Sequence, residues 1–267
     1  MLIPRVLSAI VMAFLFVYAV FVLEPSGFQI AMTAVVLVAG WEWARLAGIS
    51  LQMGRIAFAG LIGGLCYAIA LYDVYSEILV ITPVLWVLAL YWVINYPQQK
   101  GWQSSATRIA FGVLVLLTTW SAMVVLRDSE QFISWMLLLM GLIWGADSGA
   151  YFSGRAFGKK KLAPSVSPGK SWEGVYGGLI LTQIGVAIFA WQSGFVVGSW
   201  LLLAIIALVT VMTSVLGDLT ESLFKRHESL KDSSRLIPGH GGVMDRVDSL
   251  TSAAPLFVLM LSTVGWI

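Results

Sequence analysis

Five carboxylates stand out in an otherwise greasy chain. "MGLIWGADSGAYFSG" carries Asp147, "SVLGDLTESLFKR" carries Asp218 and Glu221, and "GGVMDRVDSL" carries Asp245 and Asp248. Asp218 and Glu221 are three residues apart, as are Asp245 and Asp248, so each pair would share one helix face. Placing a carboxylate in lipid costs about 2.5–3.5 kcal/mol even on lenient insertion scales. A group of them needs partners, either clustered Lys and Arg or hard cations. Mg²⁺ suits such oxygen ligands, since it commonly takes one or two carboxylates and leaves its other positions to substrate phosphates. The plainer reading is that these are helix-end carboxylates paired with basic loop residues and with a helix N-terminus.

Anion-binding features lie beside them. "GRAFGKKKLAPSVSPGKSWEG" concentrates Arg155, Lys159, Lys160, Lys161 and Lys170 among glycines and prolines. "GHGGVMD" offers consecutive backbone N–H groups at Gly241 and Gly242, followed by a helix start. Glycine lets a backbone approach an anion closely, and a helix N-terminus favours negative charge. A triphosphate would fit there. "PSVSPGKS" is not a Walker A loop, because Pro164 replaces its first glycine and no strand is expected before it. Ser167 and Ser171 could donate to phosphate oxygens, or cap the following helix. His240 is better suited to binding phosphate or fixing the glycine loop than to acting as a general base. Basic loops beside membranes also bind lipid headgroups.

The elements that must position these groups follow from composition. Of 267 residues, 59% are hydrophobic and 11% charged, with mean hydropathy +0.88. A soluble domain would carry roughly a quarter charged residues, so the solvent is largely lipid. A net charge of +2 argues against a nucleic-acid binder. Cys66 reads as apolar packing. His227 and His240 lack the companions of a zinc site.

With ~20 apolar residues needed per crossing, nine spans are expected, near 6–23, 27–47, 56–72, 78–96, 108–126, 132–149, 174–194, 198–217 and 249–267. The first is read as an uncleaved span. With the N-terminus in the cytoplasm and the C-terminus outside, every basic residue but Arg127, Lys100 included, falls inside, as the positive-inside rule requires. The expected fold is an all-α polytopic membrane protein. Residues 1–130 would form a scaffold of about five spans, and 131–267 a catalytic region with cytoplasmic loops 150–173 and 218–248. Trp41, Trp43, Trp92, Trp135, Trp200 and Trp266 read as interfacial anchors, and Gly63, Gly64, Gly177 and Gly178 as points of close helix packing. All five carboxylates then sit at the cytoplasmic rim. A transporter would more typically hold its ions near the midplane, so the rim favours an enzyme that joins a lipid headgroup to a soluble nucleotide.

The stretch from Ser222 to Asp248, "SLFKRHESLKDSSRLIPGHGGVMDRVD", resembles the signature of the CDP-diacylglycerol synthases, or phosphatidate cytidylyltransferases. Ser222, Lys225, Arg226, Lys231, Asp232, Pro238, His240, Gly241, Gly242, Asp245, Arg246 and Asp248 meet every fixed position of that pattern. The likeness covers about 144–267 well, and in the first half rests on hydropathy and on "WEWARLAG". It implies that CTP and phosphatidic acid give CDP-diacylglycerol and pyrophosphate with Mg²⁺, at a two-metal site whose second ion is divalent or monovalent. Asp218 and Asp245 match metal-liganding aspartates, with Asp147 and Asp248 in the same acidic group. Lys225, Arg226 and Lys231 are then assigned to the nucleotide or pyrophosphate, and Arg246, Lys170 and the 159–161 run to the lipid phosphate. The resemblance also implies a homodimer in a bacterial inner membrane, with its site facing the cytoplasm. The competing readings are a CTP-dependent polyprenol kinase, which would transfer the γ-phosphate, and an ion-coupled transporter.

Overall fold

The structure, a computed structural model, describes residues 3–98 and 101–267; Lys100 lies outside the described residues. The chain is a nearly all-helical membrane protein. Its helices are α1 (Ile3–Phe21), α2 (Pro25–Leu46), α3 (Gln52–Tyr72), α4 (Tyr75–Leu79), α5 (Thr82–Asn95), α6 (Ser105–Asp128), α7 (Phe132–Phe157), α8 (Trp172–Gln192), α9 (Val197–His227) and α10 (Met244–Thr263). Among the described residues, eight helical segments are long and apolar enough to cross a membrane, α4 and α5 counting as one. Pro83, in the first turn of α5, separates those two. α10 is long enough at 20 residues, but Asp245, Arg246 and Asp248 in its first turns lower its hydropathy.

α6 is the most buried of the eight and packs on α2, α3 and α10. Its polar residues bond within the bundle, as the absence of water requires. Thr118 and Thr119 donate to carbonyls one turn back, and Thr119 also reaches the Thr251 carbonyl of α10. α7 lies against α8 through glycines: a Cβ on Gly149 would come within 2.8 Å of the Gly177 carbonyl, and one on Gly178 within 2.7 Å of the Ala146 carbonyl. Gly217 does the same for α9 and α10, where a Cβ would come within 2.6 Å of the Asp248 carbonyl and strike Ser252. The close packing expected at Gly63, Gly177 and Gly178 is present. Gly64 instead faces open space.

Two helices run past their expected ends. Hydropathy ends the sixth and eighth spans near 149 and 217, yet α7 continues to Phe157 and α9 to His227. Hydropathy marks where a helix leaves lipid, not where it stops. "DLTESLFKRH" has no glycine or proline to break it, and α9 ends only where Ser229 takes a positive φ of 54°. Asp147, Asp218 and Glu221 therefore sit within helices. The expected 150–173 loop is also partly strand. β1 (Lys161–Ala163) and β2 (Ser167–Ser171) form an antiparallel hairpin pairing Lys161 with Ser171 and Ala163 with Ser167. A strand does precede "PGKS", contrary to expectation, but that tetrapeptide is itself extended in β2 and so cannot wrap a phosphate as a P-loop does.

The extension of α9 is gripped by aromatic rings. Phe224, fully buried, meets Trp43, Trp92, Trp102 and Phe111 at centroid distances of 5.5–6.2 Å. Trp43, Trp92 and Trp135 are thus core residues rather than interfacial anchors, and Trp43 satisfies its indole N–H on the Arg108 carbonyl at 2.9 Å. Cys66 is buried and free.

Candidate active site

Four elements bring one set of charges together. Lys170 on β2 pairs with Asp218 on α9 at 2.6 Å, and Ser222, one turn on, donates to the same carboxylate at 3.3 Å. Asp147 on α7 lies close enough to feel the charges of Lys170, Asp218 and Arg246. Asp248 on α10 feels Asp218, Lys225 and Lys170, and accepts from the backbone N–H of Ser249. Among the described residues, no protein group hydrogen-bonds Asp147. This group is open: among its three carboxylates Lys170 makes the one direct ion pair, and their oxygens have lone pairs to spare.

The hairpin holds Lys170 in place. Ser171, directly after it, is buried and caps α8 by accepting from the Gly174 N–H at 3.2 Å. Its hydroxyl oxygen thus serves the helix, one of the two roles weighed for it, while its own proton stays available to a phosphate oxygen. Lys160 gives its backbone N–H to Glu173. Arg226 reaches back from α9 to the Val166 carbonyl at 3.4 Å, tying the hairpin to that helix. Ser167 sits at the far end of the ladder, opposite Ala163.

A second set of carboxylates is closed. Asp245 accepts from Lys225 Nζ at 2.8 Å on one oxygen; on the other it accepts from the Ser233 N–H at 2.9 Å, the Ser233 hydroxyl at 2.8 Å and the Gly242 N–H at 2.8 Å. Lys225 also pairs with the buried Glu221 at 2.6 Å. Glu42, on α2, is fully buried. It accepts from the Ser234 hydroxyl at 2.5 Å and from the backbone N–H groups of Val243 and Met244 at 3.0 and 2.6 Å, and the Ser233 hydroxyl, 3.2 Å away, shares its one proton between Glu42 and Asp245. A carboxylate remote in sequence thus caps α10, satisfying amides that a helix start leaves unpaired.

The glycines make room for this arrangement. A side chain on Gly242 would strike Ser233 and Glu42, and Gly241 adopts φ 86° with Asp245 at 2.8 Å from where its Cβ would be. At Gly242 and the two residues after it, the anion expected from outside is supplied by the chain itself. Sequence reasoning missed Glu42. Its only signal was a carboxylate inside an apolar span, in the "WEWARLAG" already noted.

The loop between α9 and α10 is pinned from the first half of the chain. Buried Arg108 of α6 pairs with Glu228 at 2.5 Å, and Arg45 of α2 donates to the Ser233 carbonyl at 3.2 Å. The Ser8 hydroxyl of α1 and His240 Nδ1 share a hydrogen bond at 2.7 Å. Above this loop opens a pocket of about 660 Å³ lined by Arg5, Lys231, Arg235, His240 and Arg246, with Asp232 as its one acidic residue. None of these four Lys and Arg residues pairs with a carboxylate among the described residues. Arg246 lines this pocket, and its charge also reaches Asp147.

The donor set of the open group fits a hard divalent cation. Among the described residues no three His, Cys, Asp or Glu side chains already converge as a ligand cluster, so a cation here would rely on one or two carboxylates and on phosphate oxygens. Asp245 could join them only by releasing Lys225 or its loop donors.

A model of the cytidylyltransferase family matches residues 3–264. The phosphatidate cytidylyltransferase of Pseudomonas aeruginosa is 44% identical over 268 residues, spanning 100% of this chain and 99% of that protein. That of Haemophilus influenzae is 41% identical over 280 residues, 96% and 97% of the two chains. That of Brucella suis is 34% identical over 260 residues, 96% and 91%. This membrane-embedded chain belongs to the cytidylyltransferase family and is a nucleotidyltransferase.

Proposed function

We propose that the protein transfers the cytidylyl group of CTP to phosphatidic acid, as the names of its relatives describe for them. The observation that carries this reading is an open carboxylate group, with Lys170 on Asp218, lying near a pocket lined by Arg5, Lys231, Arg235 and Arg246, cations without carboxylate partners among the described residues. One compartment suits the metal-bound phosphates of a nucleotide, the other a second anion. In the reaction a phosphatidate oxygen attacks the α-phosphorus of CTP, the bond from that phosphorus to the β-phosphate oxygen breaks, and pyrophosphate leaves. Near neutral pH the attacking phosphate is largely ionised, so no general base is needed and His240 is free to fix the loop.

Asp218, with one of its neighbours Asp147 and Asp248, would hold Mg²⁺, whose chemistry is to neutralise phosphate charge and polarise the phosphorus–oxygen bonds. A second ion, divalent or monovalent, would draw on the same oxygens. Lys170 would reach the nucleotide phosphates by exchanging Asp218 for them, and Arg246 would lie between the two substrates. Lys225 and Arg226, assigned to the nucleotide on sequence grounds, also serve the scaffold. They bind Asp245 and Val166, and so hold α9, the hairpin and the loop in register.

In this reading α10 is the ninth span, the N-terminus and the site lie on the cytoplasmic side of a bacterial plasma membrane, and the protein works as a homodimer. The positive-inside separation of basic residues supports the orientation. The test uses purified protein with phosphatidic acid, Mg²⁺ and CTP labelled in turn at the α- and γ-phosphates, with Asp218→Asn alongside. Entry of α-label into lipid, release of γ-label as pyrophosphate and loss of turnover in the variant are the expected results. Entry of γ-label would make the protein a lipid kinase instead.

A further inference from the structure

The basic pocket has an apolar neighbour. Leu37, Val38 and Trp41 of α2, with Leu236 of the loop, line a groove of about 330 Å³ whose surface is almost wholly apolar. Leu236 stands between Arg235 and Ile237, both of which line the basic pocket, so the two cavities share one stretch of backbone as a wall. Leu236 is 54% exposed, in a loop where a polar side chain would otherwise be expected. An apolar slot beside a cationic one has the chemistry of a phospholipid, a chain at one end and a phosphate at the other.

α1 completes the cationic end. Along most of its length this helix is barely covered, with Val20 its one buried residue. Its first turns are exposed too, but touch the loop at two points. The Arg5 stem lies across Gly239, where a Cβ would come within 2.6 Å of Arg5 Cγ and where φ is 79°. One turn on, the Ser8 hydroxyl bonds both His240 and the Pro238 carbonyl. The helix is thus docked where it brings Arg5 into a pocket already holding Lys231, Arg235 and Arg246. Several unpaired cations suit a phosphate monoester, which carries up to two charges, better than a diester with one.

We infer that Arg5 of α1, with Arg235, binds the phosphate of the acceptor lipid, whose acyl chain lies in the groove of Leu37, Trp41 and Leu236. This rests on the cytidylyl-transfer reading and gives it a lipid entrance between α1 and α2. Arg246 then faces the lipid phosphate from one side and the Asp147 group from the other.

The experiment uses the full chain in detergent micelles, with the mole fraction of phosphatidic acid varied at saturating CTP, and CTP varied at saturating lipid. Loss of one charge-assisted hydrogen bond in Arg5→Gln should raise the KM for phosphatidic acid roughly tenfold. The KM for CTP should not move, and Arg5→Lys should recover part of the loss. Melting temperature in detergent identifies any variant that fails to fold, and Leu236→Gln, which leaves every cation in place, should raise the same KM.

A phosphatidic acid probe with a diazirine on its acyl chain supplies a readout independent of turnover. Without CTP it should label residues 37–41 and 236, and Arg5→Gln should reduce that labelling. A rise in the CTP KM alone, labelling confined to other helices, or equal labelling by a phosphatidylcholine probe would each overturn the inference. Labelling of the groove by a protein that transfers no cytidylyl group would uphold the lipid site and sink the functional reading instead.

Discussion

Two groups of carboxylates lie at the same end of the molecule and do opposite things. Asp147, Asp218 and Asp248 have one direct ion pair between them, Lys170 with Asp218, and Asp147 has no hydrogen-bond partner among the described residues. Four donors surround each of Glu42 and Asp245, the single Ser233 hydroxyl proton being shared between them, and Asp245 shares Lys225 with Glu221. The first group keeps capacity to bind something from outside. The second has spent its capacity on the loop and helix start that hold the first in place. Residue type and depth do not separate ligand from scaffold here. What separates them is whether the chain has already supplied the partners.

Removing Lys225 should widen the contrast most. Lys225→Met leaves Glu221 and Asp245 buried without their cation, a loss of about 3–5 kcal/mol, seen as a sharp fall in melting temperature in detergent. Retained stability would mean that the closed network is not structural. Asp218→Asn should do the reverse, lowering kcat on the order of 10²–10³-fold, by analogy with loss of one preorganised electrostatic contact, with melting unchanged. Asp245→Asn, its counterpart in the closed set, should lose stability as well as activity; a variant that melts normally would move Asp245 into the open group.

Glu42→Gln turns a universal acceptor into a side chain with one carbonyl. At least one of its four donors is then orphaned, at about 1–3 kcal/mol, and hydrogen exchange at Val243 and Met244 should quicken. Unchanged exchange there would remove Glu42 from the capping role. The smallest effect belongs to Ser171→Ala, which deletes the α8 cap at about 1 kcal/mol. A loss of activity far beyond that would return Ser171 to the phosphate-binding residues.

Much of the fold was legible before any coordinates. Spans recur as apolar stretches because lipid demands them, and eight of the nine expected segments are helices of the right length and hydropathy. The ninth, α10, is helical but too charged at its start to be recognised by the same measure. Helix ends were less legible. α7 and α9 outrun their apolar stretches, because continuing a helix needs only the absence of a breaker. The hairpin was hidden for a related reason, since "KLAPSVSPGKS" carries no alternation of apolar and polar residues.

The site divides in the same way. Asp147, Asp218, Asp248, Lys170 and Arg246 could be picked out as charges in a chain with few of them, at positions that hydropathy places at one depth. That much the sequence by itself determined, since the cost of charge in lipid is a local matter of composition. Tertiary structure alone decided which carboxylate is free and which is consumed. Ser233 and Glu42 are 191 residues apart in the chain, and Ser8 and His240 are 232 apart. No spacing rule reaches across such distances. A hydrogen bond saturates a particular atom of a particular partner, and only the folded chain brings those two atoms together.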